Sequence, residues 1–354
     1  MQLKTLFLPW LLLGAINAYG AVGAADKSSE PSLISAKTNS PGLTQLASYT
    51  GRYGVSTDGF GSTSQSGTIS ALIPSGSTIV KAYLYSAGYG FDDLTGSNID
   101  IDGLKFNGVT VSFDKYYVNE WGYGAFKTGR VDVTDMVQAA YDGTAAGGIY
   151  NFTVLENDAA VDGEALVVVY ENSTLPVNTI SIIEGGANIY GDSFVLNYDE
   201  PLDPSAEGFS LEMSLGISFS AEYQASTVKV NDQIITENAG DNDDGELANG
   251  ALITVGGFDD PYSAHLPSYS GDHERYDLSS YVSYGDTSLK IDTINPSQDD
   301  NLFLVVFKSY GSVQVDVTCD LNSAYDDGFE AGKAYCEANP SNCNISPRAV
   351  VIPF

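Results

Sequence analysis

Cysteine, histidine, methionine and tryptophan are all scarce in this chain, at 3, 2, 3 and 2 of 354 residues. Cations are scarce as well: 15 Lys and Arg face 46 Asp and Glu, for a formal charge of −31. The shortage of positive charge argues against nucleic acid as a partner, because binding it takes a cationic face that displaces counterions. Docking on anionic lipid is disfavoured for the same reason. The only histidines, His265 and His273, share the loop 264–274, with Asp272 and Glu274 beside the second. A metal-ligand or base role for histidine is therefore confined to that loop, and a solvated polar loop is the plainer reading. There is no Gly-x-Ser-x-Gly elbow in a strand–turn–helix context, no His-Glu-x-x-His and no glycine loop shaped to cradle phosphate. Paired carboxylates of the glycosidase kind stay open, since the acids are many.

Long apolar runs are missing beyond the N-terminus, so no membrane span is expected. The N-terminus itself reads as an export signal, residues 1–24. Lys4 supplies a positive start, Leu6 to Ala15 an apolar core too short to span a bilayer, and Ala18 or Ala24 a small residue for cleavage. Residues 25–40, rich in Ser, Lys and Pro, read as a flexible leader. The expected location is secreted, extracellular or cell-surface.

What is abundant points to strands. Gly (37) and Tyr (23) are plentiful, and turn pairs punctuate the chain at Asp58-Gly59, Asp102-Gly103, Asn107-Gly108, Asp142-Gly143 and Gly285-Asp286. The chain also repeats itself. Arg130-Val131-Asp132-Val133-Thr134 lines up with Arg275-Tyr276-Asp277-Leu278-Ser279, and each block is followed by an acidic turn and an apolar run. Those runs are Ala165 to Tyr170 and Leu302 to Phe307, which pairs Val168 with Val305. Upstream, Asn98 to Val111 matches Thr227 to Thr236 as a strand pair about a tight turn. Uninterrupted apolar runs suit strands buried on both faces, and Asp132 and Asp277 suit the caps of short helical turns. The expected fold is all-β: two tandem jelly-roll-like β-sandwich domains, 41–180 and 181–318, plus a short C-terminal helix in a tail, 319–354.

That tail holds all three cysteines. Tyr325, Phe329, Gly332 and Cys336 fall on one stripe of a helix expected over 323–338, which Asn339-Pro340 ends. Cys336 and Cys343 are close enough to form a disulfide through a turn at Pro340, whereas Cys319 lies a helix length away. The segment Tyr325-Asp326-Asp327-Gly328-Phe329-Glu330-Ala331-Gly332-Lys333, then Cys336, Asn339-Pro340 and Cys343, resembles the C-terminal tail of exported proteins of marine bacteria. The repeated blocks resemble uncharacterised secreted bacterial β-sandwich families, in which a hairpin precedes an Asp-Val-Thr block and an apolar strand. Neither resemblance carries an active site.

Two kinds of candidate site remain. Asp241, Asp243, Asp244 and Glu246 crowd oxygen ligands around Gly245, as a Ca²⁺ loop does, although the spacing is not that of an EF-hand. Asp92 and Asp93, with Asn98, form a lesser cluster of the same type, and Asp259-Asp260 is a neighbour that could add to the Asp241 loop. The other signal is aromatic. Tyr117, Trp121 and Tyr123 sit among glycines before Arg130, and Tyr83, Tyr85, Tyr89 and Phe91 alternate along one strand. Rings beside acids suit a sugar-binding face. Asn151, Asn172 and Asn344 begin Asn-x-Ser/Thr triplets. The expected function is a non-catalytic binding and assembly protein of the adhesion or extracellular-matrix type, stabilised by Ca²⁺, with a glycan, another extracellular protein or its own copy as partner. The alternative is a secreted carbohydrate- or glycoprotein-active enzyme on a double jelly roll.

Overall fold

The computed structural model describes residues 42–61, 64–91, 95–121, 124–141, 147–158, 161–188, 191–219, 226–239, 252–263, 273–295 and 301–318. The expected signal, leader and Cys-containing tail, with the Cys336–Cys343 bond, lie outside the described residues. The first half of the chain forms β1 (Gly42–Gly51), β2 (Tyr53–Phe60), β3 (Ser66–Ile73), β4 (Thr78–Phe91), β5 (Lys105–Phe106), β6 (Val109–Thr110), β7 (Lys115–Trp121) and β8 (Gly124–Asp132). Helix α1 (Thr134–Ala140), β9 (Gly148–Leu155) and β10 (Val161–Glu171) complete it. The second half forms β11 (Asn178–Gly186), β12 (Ser193–Tyr198), β13 (Leu211–Ser218), β14 (Ser226–Val230), β15 (Gln233–Ala239), β16 (Ile253–Val255) and β17 (Arg275–Asp277). A 3₁₀ turn (Ser279–Tyr281), β18 (Ser288–Ile294), β19 (Asn301–Tyr310) and β20 (Val313–Thr318) follow. The protein is all-β, with every described ladder antiparallel.

The repeat is visible in the strand order. In the first half β2-β10-β4-β8 lie side by side in one sheet, extended by β7, and β3-β9-β5-β6 form the sheet packed on it. In the second half β11-β19-β13 run in the first order with β16 and β17 flanking β13, and β12-β18-β14-β15 run in the second. Each half is a jelly-roll arrangement. Besides β7 and β16, which pair differently in the two halves, β1 and β20 stand outside the repeat. β1 pairs with β11, so the N-terminal strand completes a sheet made by the second half, and β20 pairs with β12.

Three apolar layers separate four sheets. Leu84, Leu166, Val168, Phe106 and Phe152 fill the first sandwich. Phe194, Met213, Val228, Val305 and Phe307 fill the second. Tyr85, Ala165, Val167, Ile182, Phe303 and Val306 form a third layer, where the inner sheets of the two sandwiches meet. This explains the uninterrupted apolar runs. On β10, Ala165, Val167 and Val169 face the middle layer while Leu166, Val168 and Tyr170 face the first sandwich, so no position is left for water.

Asp132 and Asp277 end equivalent strands and do the same work. Asp132 Oδ1 accepts the Thr134 amide at 2.9 Å, and Asp277 Oδ1 accepts the Ser279 amide at 2.9 Å. Each closes a side-chain turn ahead of a helical turn, while the cap position of α1 itself falls on Val133. The matched hairpins are β5–β6 about Asn107-Gly108 and β14–β15 about Asn231-Asp232, and all four turn residues have positive φ. The ladders shift one expected pair. Asp132 faces Tyr83, which faces Val167; Asp277 faces Glu212, which faces Lys308. Val168 therefore corresponds to Ser309 on β19, four positions from Val305.

Candidate functional site

β2 runs beside the edge strand β3 of the facing sheet, and its polar side chains cap that edge. Ser56 Oγ accepts the Leu72 amide at 2.9 Å, and Asp58 Oδ2 accepts the Ser70 amide. On its other flank β2 binds the loop after β16. The Phe258 amide donates to the Thr57 carbonyl at 2.8 Å, and Thr57 Oγ1 donates to the Gly256 carbonyl at 2.6 Å. That loop brings Asp259 to a hydrogen bond with Asp58. Asp260 Oδ2 accepts the Gly257 amide at 2.6 Å. A methyl group on Gly257 would lie 2.9 Å from Asp260 Oδ2, 3.0 Å from Asp259 Oδ1 and 3.2 Å from Asp58 Oδ1. Three carboxyl groups thus surround one point at the junction of the two sandwiches.

Asp58 is 7 % exposed. Burial pushes its pKa up to about 8, helped by the Asp259 and Asp260 charges and opposed by the Ser70 amide. Near neutral pH the Asp58 carboxyl holds a proton that its partner shares. Among the described residues no three acidic, histidine or cysteine side chains already stand in a metal-ligand arrangement. A cation at this point would take the place of that proton and draw the carboxylates apart from one another.

Arg275, from β17, holds the loop in place by donating from Nη1 to the carbonyls of Phe258 (2.9 Å) and Asp260 (2.8 Å). Its guanidinium lies 4.7 Å from the centre of the Tyr262 ring and 3.5 Å from Glu212, which also binds Lys308 at 2.6 Å. Burial raises the Glu212 pKa, but Lys308 and Arg275 outweigh it and hold the carboxyl below its usual range. Arg275, Glu212 and Lys308, with Ser56, Thr57 and Tyr170, line a cavity of about 180 Å³ whose described lining includes neither Asp58 nor Asp259.

Two further acidic groups lie inside the fold. Glu184 accepts from the Tyr85 hydroxyl at 2.7 Å and the Tyr117 hydroxyl at 2.6 Å and pairs with Arg130 at 3.1 Å, a buried set that ties the inner sheets together. Glu164 and Glu156 face each other at the mouth of the first sandwich. Ser86 donates to Glu164 Oε1 at 2.9 Å, while among the described residues no other group donates to Glu164 Oε2 or to either oxygen of Glu156, so at these oxygens the two carboxyls have only each other. Burial and the neighbouring Glu156 push Glu164 well up, so this pair also holds a proton.

The residues expected to form sites fall out unevenly. Asp92, Asp93, Tyr123, Asp241, Asp243, Asp244 and Glu246 lie outside the described residues, as does His265. Trp121 ends β7, and its side chain is outside what the structure describes. Tyr117, expected on a ligand face, is 8 % exposed with its hydroxyl on Glu184. Tyr83, Tyr85 and Tyr89 are buried too. Asp259 joins Asp58 across the sandwich junction. Asp58 had been read as part of a turn pair and instead lies within β2; an aspartate inside an alternating strand was the available signal. Of the three Asn-x-Ser/Thr triplets, Asn151 lies exposed on β9, Asn172 is buried and Asn344 is outside the described residues.

The chain matches no protein family and no curated protein. Among the described residues no helix is long and apolar enough to cross a membrane.

Proposed function

We propose that the protein is a secreted or cell-surface binding and assembly protein, non-catalytic, with Ca²⁺ as a structural ion and a glycan, another extracellular protein or its own copy as partner. The observation that carries this reading is the meeting of Asp58 on β2 with Asp259 and Asp260 from the loop after β16. Carboxylates from both sandwiches converge, so an oxygen-seeking cation placed there would staple one sandwich to the other. The −31 charge favours cation uptake in the same direction. The reading is tested by thermal unfolding of the mature protein in Ca²⁺ and in chelator. Ca²⁺ is expected to raise the melting temperature, and Asp259→Asn to remove most of the rise.

The alternative, a carbohydrate- or glycoprotein-active enzyme, draws on the same pair, because a buried carboxyl whose pKa is raised, beside a second carboxyl, is how such enzymes hold their general acid. Geometry disfavours it. Glycosidase carboxyls stand about 5 to 9.5 Å apart with the sugar between them. Asp58 and Asp259 hydrogen-bond directly to each other and leave no such gap.

A further inference from the structure

The duplication supplies an internal control, and one position breaks the symmetry. Asp132 and Asp277 are equivalent by strand order, by register and by the side-chain turn each closes. In the first sandwich both Asp132 oxygens are occupied. Oδ1 accepts from the Thr134 amide and hydroxyl, and Oδ2 pairs with Lys81 Nζ at 2.5 Å. The ladder that sets Tyr83 opposite Asp132 and Glu212 opposite Asp277 makes Ser210 the counterpart of Lys81. The lysine is gone from the second copy. Asp277 is exposed, Oδ1 holds the Ser279 amide at 2.9 Å, and none of the described residues donates to its other oxygen.

Asp277 belongs to the lining of a concave pocket of about 360 Å³ on the second sandwich, and neither Asp58 nor Asp259 is part of that lining. The volume is within the span of about 300 to 1,000 Å³ usual for small-ligand sites. Its walls combine aromatic rings, Tyr262 and Tyr281, with planar polar groups, Gln233 and Asp277, and with the hydroxyls of Ser263 and Ser280. Tyr262 is 44 % exposed, among the large apolar side chains most open to water, yet it is fixed from behind by Arg275, itself locked to two backbone carbonyls. Asp277 is fixed by its own turn. The pocket is thus lined by side chains on β15, β17 and the 3₁₀ turn, with Tyr262 and Ser263 from the loop after β16 that Arg275 holds in place.

From this we infer that the pocket binds a sugar ring of neutral charge. A ring face offers C–H groups to tyrosine, and a carboxylate and a carboxamide each bind a pair of neighbouring hydroxyls. Among the described residues that line it Asp277 is the one charged group, so an anionic sugar meets repulsion. The inference deepens the glycan part of the function proposed above and rests on it, while being independent of the cation.

The test is glycan-array binding by the mature protein in Ca²⁺, followed by titration of the best free neutral glycoside into the wild type and three variants. Asp277→Asn keeps the Oδ1 acceptor for Ser279, and Tyr262→Ala removes the open ring. Each is expected to weaken binding about tenfold or more, the loss of one well-placed contact. Asp132→Asn, at the equivalent position with its oxygens already occupied, is expected to leave affinity unchanged. Circular dichroism and melting curves identify any variant that fails to fold; for such a variant the decision passes to saturation-transfer NMR on the wild type, where Tyr262 and Tyr281 ring signals must be the ones perturbed. Neutral-glycan binding that survives both pocket variants, or that perturbs other tyrosines, overturns this site and leaves the glycan reading standing. No binding of any neutral glycan by the wild type overturns both. Binding confined to cationic ligands, lost in Asp277→Asn, overturns the sugar assignment.

Discussion

Replacing Asp58 with asparagine should make the protein more stable at alkaline pH when Ca²⁺ is absent. The folded Asp58 carboxyl ionises at about 8, against an ordinary value of 3.8. Between those values the folded chain binds one proton more than the unfolded chain, so stability falls as pH rises. The slope is about 1.4 kcal/mol per pH unit. Across the roughly four units between 3.8 and 8 the loss reaches up to about 6 kcal/mol. Asparagine cannot ionise, still accepts the Ser70 amide, and can donate to Asp259. The variant should therefore match the wild type near pH 4 and exceed it at pH 9 in chelator. For the unit Thr38–Phe354, an unfolding entropy of about 2.1 cal/mol/K per residue makes 6 kcal/mol worth about 9 °C of melting temperature. Saturating Ca²⁺ should narrow that gap, because the wild type gains from binding, by about 2.7 kcal/mol at a hundredfold excess over Kd. The assay is urea and thermal unfolding followed by circular dichroism from pH 4.5 to 9.5, with and without chelator. Comparing the two proteins at each pH cancels the general repulsion of a −31 chain. If the variant is less stable than the wild type at pH 9 in chelator, the description of Asp58 as a buried, proton-holding carboxyl is refuted.

Phe303 is fully buried between the inner sheets, with its ring centre 6.2 Å from that of Tyr85. Phe303→Ala should cost about 3–5 kcal/mol in urea unfolding, and a cost under about 1 kcal/mol would show that the middle layer does not bind the sandwiches together. Glu184→Leu removes the acceptor for Tyr85 and Tyr117 and the partner of Arg130. It should cost about 3–5 kcal/mol, because two buried hydroxyls lose their acceptor and Arg130 keeps only Asp114 at 3.6 Å, with double-mutant cycles against Tyr85→Phe showing coupling between the two.

The parts of the fold that the sequence reveals are those whose cause is local. The runs Ala165 to Tyr170 and Leu302 to Phe307 are apolar at every position because both faces are covered, and that needs no knowledge of what covers them. The Arg-x-Asp blocks mark the duplication because a short polar side-chain turn has a fixed spacing. Pure apolar runs carry no such marker, and for that reason the pairing of Val168 with Val305 slips by four positions to Ser309. Tyr83, Tyr85 and Tyr117 read as surface rings because tyrosine suits both water and core. A sheet from the other half of the chain covers them, and its Glu184 accepts from Tyr85 and Tyr117. The meeting of Asp58 with Asp259 is set by β2 lying beside the loop after β16, far along the chain. In the sequence Asp58-Gly59 carries only the sign of a turn, and Asp259 invites pairing with its near neighbours in the Asp241 loop. The addition of β1 to a sheet of the second half has likewise no local signature.

The measurement that bears most directly on a cation-stapled binding protein is equilibrium Ca²⁺ binding, by isothermal titration near pH 7, to the metal-stripped wild type and to Asp259→Asn. The wild type should bind one equivalent more than the variant and release a proton as it does so, since Asp58 must ionise to become a ligand. Equal stoichiometry in the two proteins, with no proton released at the site, would contradict the account.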